Sequence, residues 1–197
     1  MMKQAFFPSL AFCLLTFGLL LGHARAQNSS DTPPRRTDVE SMDGIIRAVY
    51  DVISGPAGQK RDWERMRTLF APGARLIPTS PVRPPGSAPD APLTGAEAYA
   101  PHVYDLEGFI ERVDKNTQTQ GFFERETARR VETYGHITHV WSTYEARHKA
   151  DDPKPFIRGI NSIQLVNDGR RWWVVTIFWE AESPKTPIPE RYLKSQS

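Results

Sequence analysis

Cysteine is almost absent from this sequence, and neither sign of charge dominates it. The 197 residues include one cysteine, with 25 basic and 23 acidic side chains. A single thiol excludes a disulfide framework within the chain, so stability has to come from a packed core. A formal net charge of +2 without a basic stripe argues against a nucleic-acid-binding surface.

Repeats at solenoid periods are missing, and so are the spacings of common metal and hydrolase motifs. His136 and His139 are three residues apart, which would place them on opposite faces of a strand. Asp151-Asp152 is an adjacent pair in a polar loop and does not form a ligand set. No Gly-x-Ser-x-Gly sequence occurs. The sequence therefore predicts no metal site and no cofactor.

The long apolar run of this chain lies near its start. Lys3 precedes residues 5–21, which are rich in Phe and Leu, and the small-x-small sequence Ala24-Arg25-Ala26 follows. This order is typical of a secretory signal peptide, residues 1–26, whereas an uncleaved anchor needs about 20 apolar residues. We expect export to the periplasm or the cell exterior, with no membrane attachment after cleavage.

Cleavage would remove the only cysteine, and the formal charge would fall to zero because two basic residues leave without any acid. The remaining 171 residues (197 less 26) fit one domain. Residues 27–40 are polar and contain proline, which predicts a disordered leader. Residues 184–197 predict an irregular, Pro-containing tail, so the folded domain should span residues 41–183.

Helical and strand patterns separate along this domain. Apolar residues recur at helical spacing in residues 42–54, 62–70 and 104–118. A short strand at 74–78 and a long Pro-rich surface loop at 78–101 lie between the last two helices. Two hairpins follow, with turns at Gly135-His136 and Asp168-Gly169. This order predicts an α+β domain in which helices cover one side of an antiparallel sheet.

Strand alternation sorts the last hairpin into two faces. If its strands pair across a two-residue turn, Asn161 lies opposite Thr176 on an otherwise apolar inner face. The two polar groups either satisfy each other in the core or line a ligand cavity. Tyr50 and Tyr144 could contribute hydroxyls to the same space.

The outer face of the predicted sheet carries an unusually large apolar patch. Its members are Trp141, Ile160, Trp173, Ile177 and Trp179. Soluble monomers rarely expose so much contiguous apolar surface, which predicts a homodimer formed through this face. Single surface aromatics, or cover by the C-terminal tail, are the alternatives.

The order of helices and strands resembles the nuclear transport factor 2-like superfamily, which includes SnoaL-like and ketosteroid-isomerase-like domains. The resemblance rests on WERMRTLFAPGARLIPT, on YDLEGFIERV and on RGINSIQLVNDGRRWWVV, which is similar to the Arg…Asp-Gly-x-Trp hairpin of SnoaL-like proteins. It covers about residues 41–183. It implies a cone-shaped fold, in which a curved antiparallel sheet packs on about three N-terminal helices and opens into a pocket, often as a dimer.

Isomerase-like members of this superfamily place a carboxylate base in the cone, opposite a hydrogen-bonding tyrosine. Alternation puts no Asp or Glu on the inner face between residues 131 and 178, so no carboxylate matches the base. The acidic residues on the outer face are Glu124, Glu126, Glu132, Glu145 and Glu180. His102 and His148, the candidates for a dehydratase-like histidine, lie in loops or at strand ends. We therefore predict a small-molecule-binding domain with an apolar pocket and no recognisable catalytic set. An isomerase, hydratase or cyclase is the first alternative, and a structural dimerisation module the second.

Overall fold

The structure is a computed structural model that describes residues 32–83, 85–88 and 98–195. The predicted signal peptide lies outside the described residues. Within those residues, no helix is long and apolar enough to span a membrane.

The chain forms four α-helices, six strands and one short 3-10 helix at Glu190–Tyr192. The helices are α1 Arg36–Val39, α2 Met42–Ile53, α3 Trp63–Leu69 and α4 Leu106–Thr117. The strands are β1 Phe70–Pro81, β2 Tyr99–Pro101, β3 Phe123–Tyr134, β4 Ile137–Arg147, β5 Ile157–Asn167 and β6 Trp172–Ala181. These counts refer to the described part of the chain.

The strands form one curved, unclosed sheet in the order β2-β1-β6-β5-β4-β3. The strands β3 to β6 pair with one another in antiparallel fashion, as predicted. At the other edge of β6, β1 runs parallel to it. The sheet is therefore mixed. The predicted α+β class is confirmed, with the helices packed on the concave side of the sheet.

The helix starts follow from side-chain caps that the sequence already contains. Ser41 accepts a 3.0 Å hydrogen bond from the backbone N–H of Gly44 at the start of α2. Asp62 and Asp105 cap α3 and α4 in the same way. Each cap satisfies a backbone donor that would otherwise lack a partner, which contributes about 1 kcal/mol to stability.

The core lies between α2 and the concave face of the sheet. On α2, Ile45 and Ile46 are fully enclosed, and across from them lie Val140, Ile163 and Val174. Each such side chain contributes about 1.5–3 kcal/mol when it leaves water. This packing fixes the distance between α2 and the strands that carry the site.

Residues 36–39 differ from the predicted disordered leader, because they form helix α1. Val39 is buried there, and the Asp38 carboxylate accepts hydrogen bonds of 2.7 and 3.0 Å from the Arg65 guanidinium of α3. A bidentate, largely buried ion pair of this kind anchors a short segment that has little helical propensity of its own. The long loop predicted at 78–101 also differs, since β1 continues to Pro81 and pairs there with β2.

The turn between β5 and β6 is wider than predicted. Asn167 pairs with Trp172, whereas the expected two-residue turn would pair it with Arg170. The Asp168 carboxylate accepts 2.8 Å hydrogen bonds from the backbone N–H groups of Arg170 and Arg171, which stabilises the longer loop.

A β-bulge then changes the faces of β6. Leu165 pairs with Val174, but Gln164 pairs with Thr176, so Val175 is an extra residue on β6. Beyond this point every side chain of β6 points to the face opposite to the one that simple alternation predicts.

The bulge corrects three predicted positions. Asn161 lies opposite Trp179, and the predicted Asn161–Thr176 pair is wrong because Thr176 lies on the outer face. Ile177 belongs to the core, and Trp179 packs edge-on against Phe109 of α4 with ring centroids 5.9 Å apart. Neither Ile177 nor Trp179 belongs to the outer apolar patch.

A second bulge lies in β3. Glu126 pairs with Tyr144, whereas Ala128 pairs with Thr143, so β3 has one extra residue between them. The predicted outward position of Glu124 and Glu126 is therefore wrong. Both carboxylates are on the concave face, with the helices.

The C-terminal tail covers part of the outer face of the sheet. The backbone carbonyl of Tyr192 accepts a 2.5 Å hydrogen bond from Thr143, and its ring packs on Trp141 with centroids 5.7 Å apart. Ile188 is buried against the same face. Trp141 is thus covered by this chain itself, and the outer apolar residues still exposed include Val175 and Phe178.

Candidate functional site

A cavity of about 650 Å³ opens between α2, α4 and the concave face of the sheet. Most of its lining is aliphatic or aromatic, from Val49, Ile53, Met66, Phe70, Leu76, Phe109, Val113, Phe122, Phe156, Ile157, Ile177 and Trp179. Glu124 is the only acidic residue among the described residues that line it. The lining also includes Arg112, Lys115, Asn116, Gln120 and Asn161, so the cavity combines an apolar volume with polar groups, as ligand sites commonly do.

Glu124 occupies an unusual electrostatic position for a carboxylic acid. Removal from water raises its pKa from 4.5 to about 7, and the hydrogen bond from Asn161 lowers it in part. Its backbone is held by Ser54 at the end of α2, whose hydroxyl accepts a 3.0 Å hydrogen bond from the Glu124 N–H. A carboxyl group with a pKa near 7 exchanges protons readily at neutral pH.

Asn161 joins Glu124 to a chain of buried polar groups. Its Nδ2 lies 3.3 Å from Oε1 of Glu124 and 3.0 Å from the Tyr50 hydroxyl. The Tyr50 hydroxyl lies 2.7 Å from Oγ of Ser142, which donates to Oε1 of Glu126 at 2.5 Å. The three residues between the two carboxylates are all buried, with Ser142 at 0% exposure.

The far end of this chain is anchored by ion pairs. Glu126 accepts hydrogen bonds from the guanidinium of Arg129, at 2.9 Å from Nε. Arg129 also pairs with Asp43, in the first turn of α2, at 2.5 Å. Bulged strand β3 is thereby tied to helix α2 on the side away from the cavity.

A second, smaller cleft of about 370 Å³ lies on this side of the molecule. It is lined by Ile46, Arg47, Tyr50, Asp51, Ser54, Glu124, Arg125, Glu126 and Arg129. Glu124 is the one residue that lines both spaces in the described part of the chain. It therefore separates an apolar cavity from a strongly charged cleft.

The mouth of the cavity is built from aromatic and polar side chains. Phe156 is 47% exposed there, and the His148 ring stacks on it with centroids 3.9 Å apart. His148 Nδ1 lies 3.2 Å from the carbonyl oxygen of Gly121. His148 thus supports the mouth, while the other predicted histidine, His102, is not among the residues that line the cavity.

The predicted pocket residues have different positions. Tyr50 and Asn161 come together in the polar chain, and Asn161 lines the cavity. Tyr144 is buried on the concave face but lies outside the cavity lining, while burial and the nearby Glu124 raise its pKa. Thr176, on the outer face, is not part of the site.

Glu124, Glu126 and Ser142 complete the site, and sequence reasoning did not assign the two carboxylates to it. Alternation counted back from the Gly135 turn gives the correct face for Ser142 and Val131 but fails beyond the bulge. No local pattern in residues 123–134 marks that bulge. Only its tertiary setting identifies these carboxylates.

Trp173, predicted for a dimer contact, makes local interactions. Its ring lies 3.6 Å from the Arg171 guanidinium, and its Nε1 donates a 2.8 Å hydrogen bond to Asp168. This hydrogen bond makes the largest contribution to lowering the pKa of Asp168 to about 2. Ile160 remains on the outer face, where it lines a groove between the sheet and the C-terminal tail.

The described residues form an α+β domain with a curved, unclosed sheet and a cavity beside its concave face. Over the described residues, no three His, Cys, Asp or Glu side chains form a group that could hold a metal ion.

No family model and no curated protein matches the chain. Among solved structures, an NTF2-like protein of unknown function from Shewanella baltica shares 11% identity, covering 72% of this chain and 90% of its own, with a TM-score of 0.45. An NTF2-like protein of unknown function from Methylobacillus flagellatus shares 16% identity over 73% and 95%, with a TM-score of 0.41. A protein from Parabacteroides distasonis whose name proposes a ketosteroid isomerase shares 11% identity, covering 80% of this chain and 99% of its own, with a TM-score of 0.45. These likenesses concern the fold alone.

Proposed function

We propose that the cavity binds a small, mainly apolar molecule and that Glu124 transfers a proton to or from it. The observation that carries this proposal is the single carboxyl group, with a pKa of about 7, among the described residues that line a mainly apolar cavity. A group with this pKa is present in both protonation states at neutral pH. It can therefore act as a base and return the same proton as an acid.

An isomerase reaction fits this arrangement best. The Glu124 carboxylate would remove a proton from a carbon next to a carbonyl group, and the resulting carboxylic acid would return it to another carbon. Atoms and charge balance without a second reactant. Arg112, Asn116 and Gln120 also line the cavity, and their side-chain N–H donors would face the carbonyl oxygen as negative charge develops there.

The test is proton exchange catalysed by the full protein. We expect the mature protein to incorporate deuterium next to the carbonyl group of small cyclic or aromatic ketones in D₂O, followed by NMR. Glu124→Gln should abolish this exchange. Glu111→Gln is the matched control, because Glu111 is exposed on α4 and lies outside the cavity lining. Exchange that is unchanged in Glu124→Gln would contradict the proposal.

Binding without turnover is the second candidate, and the apolar enclosure supports it equally well. Native mass spectrometry of protein purified from its own host would detect a retained small molecule. If Glu124→Gln retains the same molecule and no ketone exchanges deuterium in the wild type, the binding function is favoured.

Export and dimerisation are also proposals for this chain. The N-terminal sequence supports a cleaved signal peptide, as described above. The outer face supports a homodimer, with an apolar strip that now consists mainly of Val175, Phe178 and Ile160.

A further inference from the structure

The polar chain behind Glu124 has a defined direction. Ser142 has one hydroxyl proton, and it donates this proton to Glu126. The Tyr50 hydroxyl therefore has to donate to Oγ of Ser142, and its own oxygen is left to accept. The group that reaches this oxygen is Nδ2 of Asn161. Each donor in the chain is thus assigned by its neighbour, starting from the Glu126 carboxylate.

This direction also determines how the Asn161 amide is oriented. With the amide reversed and Glu124 ionised, Oδ1 would face the Tyr50 oxygen and the Glu124 carboxylate, and three acceptors would meet without a proton between them. Burial makes such a contact expensive, since Asn161 is only 7% exposed. The NH₂ group therefore points at Glu124, which receives it on Oε1 at 3.3 Å. None of the described residues donates to Oε2.

We propose that Tyr50, Ser142 and Glu126 form a positioning chain, which holds the Asn161 amide as a hydrogen-bond donor to Oε1 of Glu124 and leaves Oε2 to the ligand. The inference rests on the proposed role of Glu124 in the cavity. It assigns Tyr50 a role behind the reacting carboxylate, because the Tyr50 proton is directed at Ser142 and is not available to a ligand.

The chain does not conduct protons between the two carboxylates. An amide N–H does not release its proton at neutral pH, so Asn161 interrupts any relay from Glu124 to Tyr50. Burial and the charge of Glu124 also raise the pKa of Tyr50, which keeps its hydroxyl protonated. Glu124 lines both the charged cleft and the cavity, so proton exchange with solvent does not require this chain.

Other titratable groups around Glu124 come from four elements. Arg47 and Asp51 on α2 line the cleft, as do Arg125 and Arg129 of β3, and Tyr144 approaches from β4. Arg112 and Lys115 of α4 line the cavity on its other side. None of these side chains hydrogen-bonds to Asn161 in the described part of the chain. The effect of the positioning chain on Glu124 is therefore separable from theirs by substitution.

The experiment measures the titration of Glu124 directly, without a substrate. In protein labelled with ¹³C at the glutamate side-chain carboxyl, the Glu124 signal is assigned as the one lost in Glu124→Gln. We expect Tyr50→Phe and Ser142→Ala to move its midpoint upward by about one pH unit. Without the chain the Asn161 amide is no longer held in place, and the ionised Glu124 loses its hydrogen-bond donor. Tyr144→Phe is the matched control, a second buried tyrosine outside the chain, and should leave the midpoint in place.

A rise in Tyr50→Phe and Ser142→Ala, but not in Tyr144→Phe, supports the proposal. An unchanged midpoint in Tyr50→Phe, when Asn161→Leu does raise it, would overturn it. If Tyr50→Phe does not fold, Glu126→Gln tests the same chain from its other end, and an unchanged midpoint there counts against it equally. A titration that shifts as expected in a protein without any proton exchange on ketones would refute the proposed function alone.

Discussion

The Nδ2 atom of Asn161 lies 3.3 Å from Oε1 of Glu124, although the two residues belong to strands that are not neighbours. Strand β4 lies between them, and the curvature of the sheet brings their side chains together on its concave face. This contact places a polar pair in the wall of an apolar cavity.

The buried carboxyl group of Glu124 should make the protein less stable as pH rises. Its pKa is about 7 in the folded protein and 4.5 without the fold, so the folded state holds the proton more tightly. Its stabilising contribution is complete below pH 4.5 and is lost as pH rises through 7, by at most about 3 kcal/mol. Urea unfolding at pH 5 and pH 8 should show this loss in the wild type and not in Glu124→Gln. An equal pH dependence in the two proteins would refute the assignment.

Asn161→Leu should change ligand binding by the cavity. The substitution removes the group that donates to Glu124 and to the Tyr50 oxygen, so both the polarity and the shape of the wall change. We expect a weaker or different retained molecule in native mass spectrometry. An unchanged ligand profile together with higher thermal stability would show that the polar pair serves the core alone.

Gly159→Ala should destabilise the fold, because the phenol of Tyr144 occupies the space beside this glycine. A Cβ at position 159 would lie 2.6 Å from the Tyr144 hydroxyl and 2.7 Å from its Cζ, and it would also meet the backbone of Glu180. We expect a loss of about 1–3 kcal/mol in thermal or urea unfolding.

The control for this substitution is Gly135→Asn at the β3–β4 turn. Gly135 has a φ of +55° and nothing within 4 Å of an added Cβ. Asparagine tolerates this backbone region, so its effect should be small. Equal stability of Gly159→Ala and the wild type would contradict the described packing.

Phe178→Glu should weaken the proposed homodimer. Phe178 is 44% exposed and Val175 is 37% exposed on the outer strip. A buried charge without a partner would oppose association through this face. Light scattering on a size-exclusion column should show a dimer for the wild type and a monomer for the variant. Tyr134→Glu, at an 84% exposed position in the hairpin tip, should remain dimeric, and a monomeric wild type would refute the prediction.

Export should leave a protein that begins at Gln27. Intact-mass measurement of the exported protein in its own host should show loss of residues 1–26, including the only cysteine. Dithiothreitol should then have no effect on the melting temperature. A mass that retains Cys13 would contradict cleavage.

Much of the fold follows from the sequence because its signals are local. Ser41 and Asp62 identify the starts of two helices, and the hairpin turn at Gly135-His136 has the predicted pairing of Tyr134 with Ile137. Caps, turns and helical periodicity each depend on a few adjacent residues. The sequence therefore determined helices α2 to α4, strands β3 to β6, their order and the α+β class, but not α1 or β2.

Only the tertiary structure decided which side chains reach the site. Bulges in β3 and β6 turn Glu124 inward and Thr176 outward, and alternation cannot reveal an extra residue in a strand. These positions depend on distant partners, since Trp179 packs on Phe109 and Asn161 donates to Glu124. The face of a strand beyond a bulge is chosen by what it packs against, and that information does not lie within the strand.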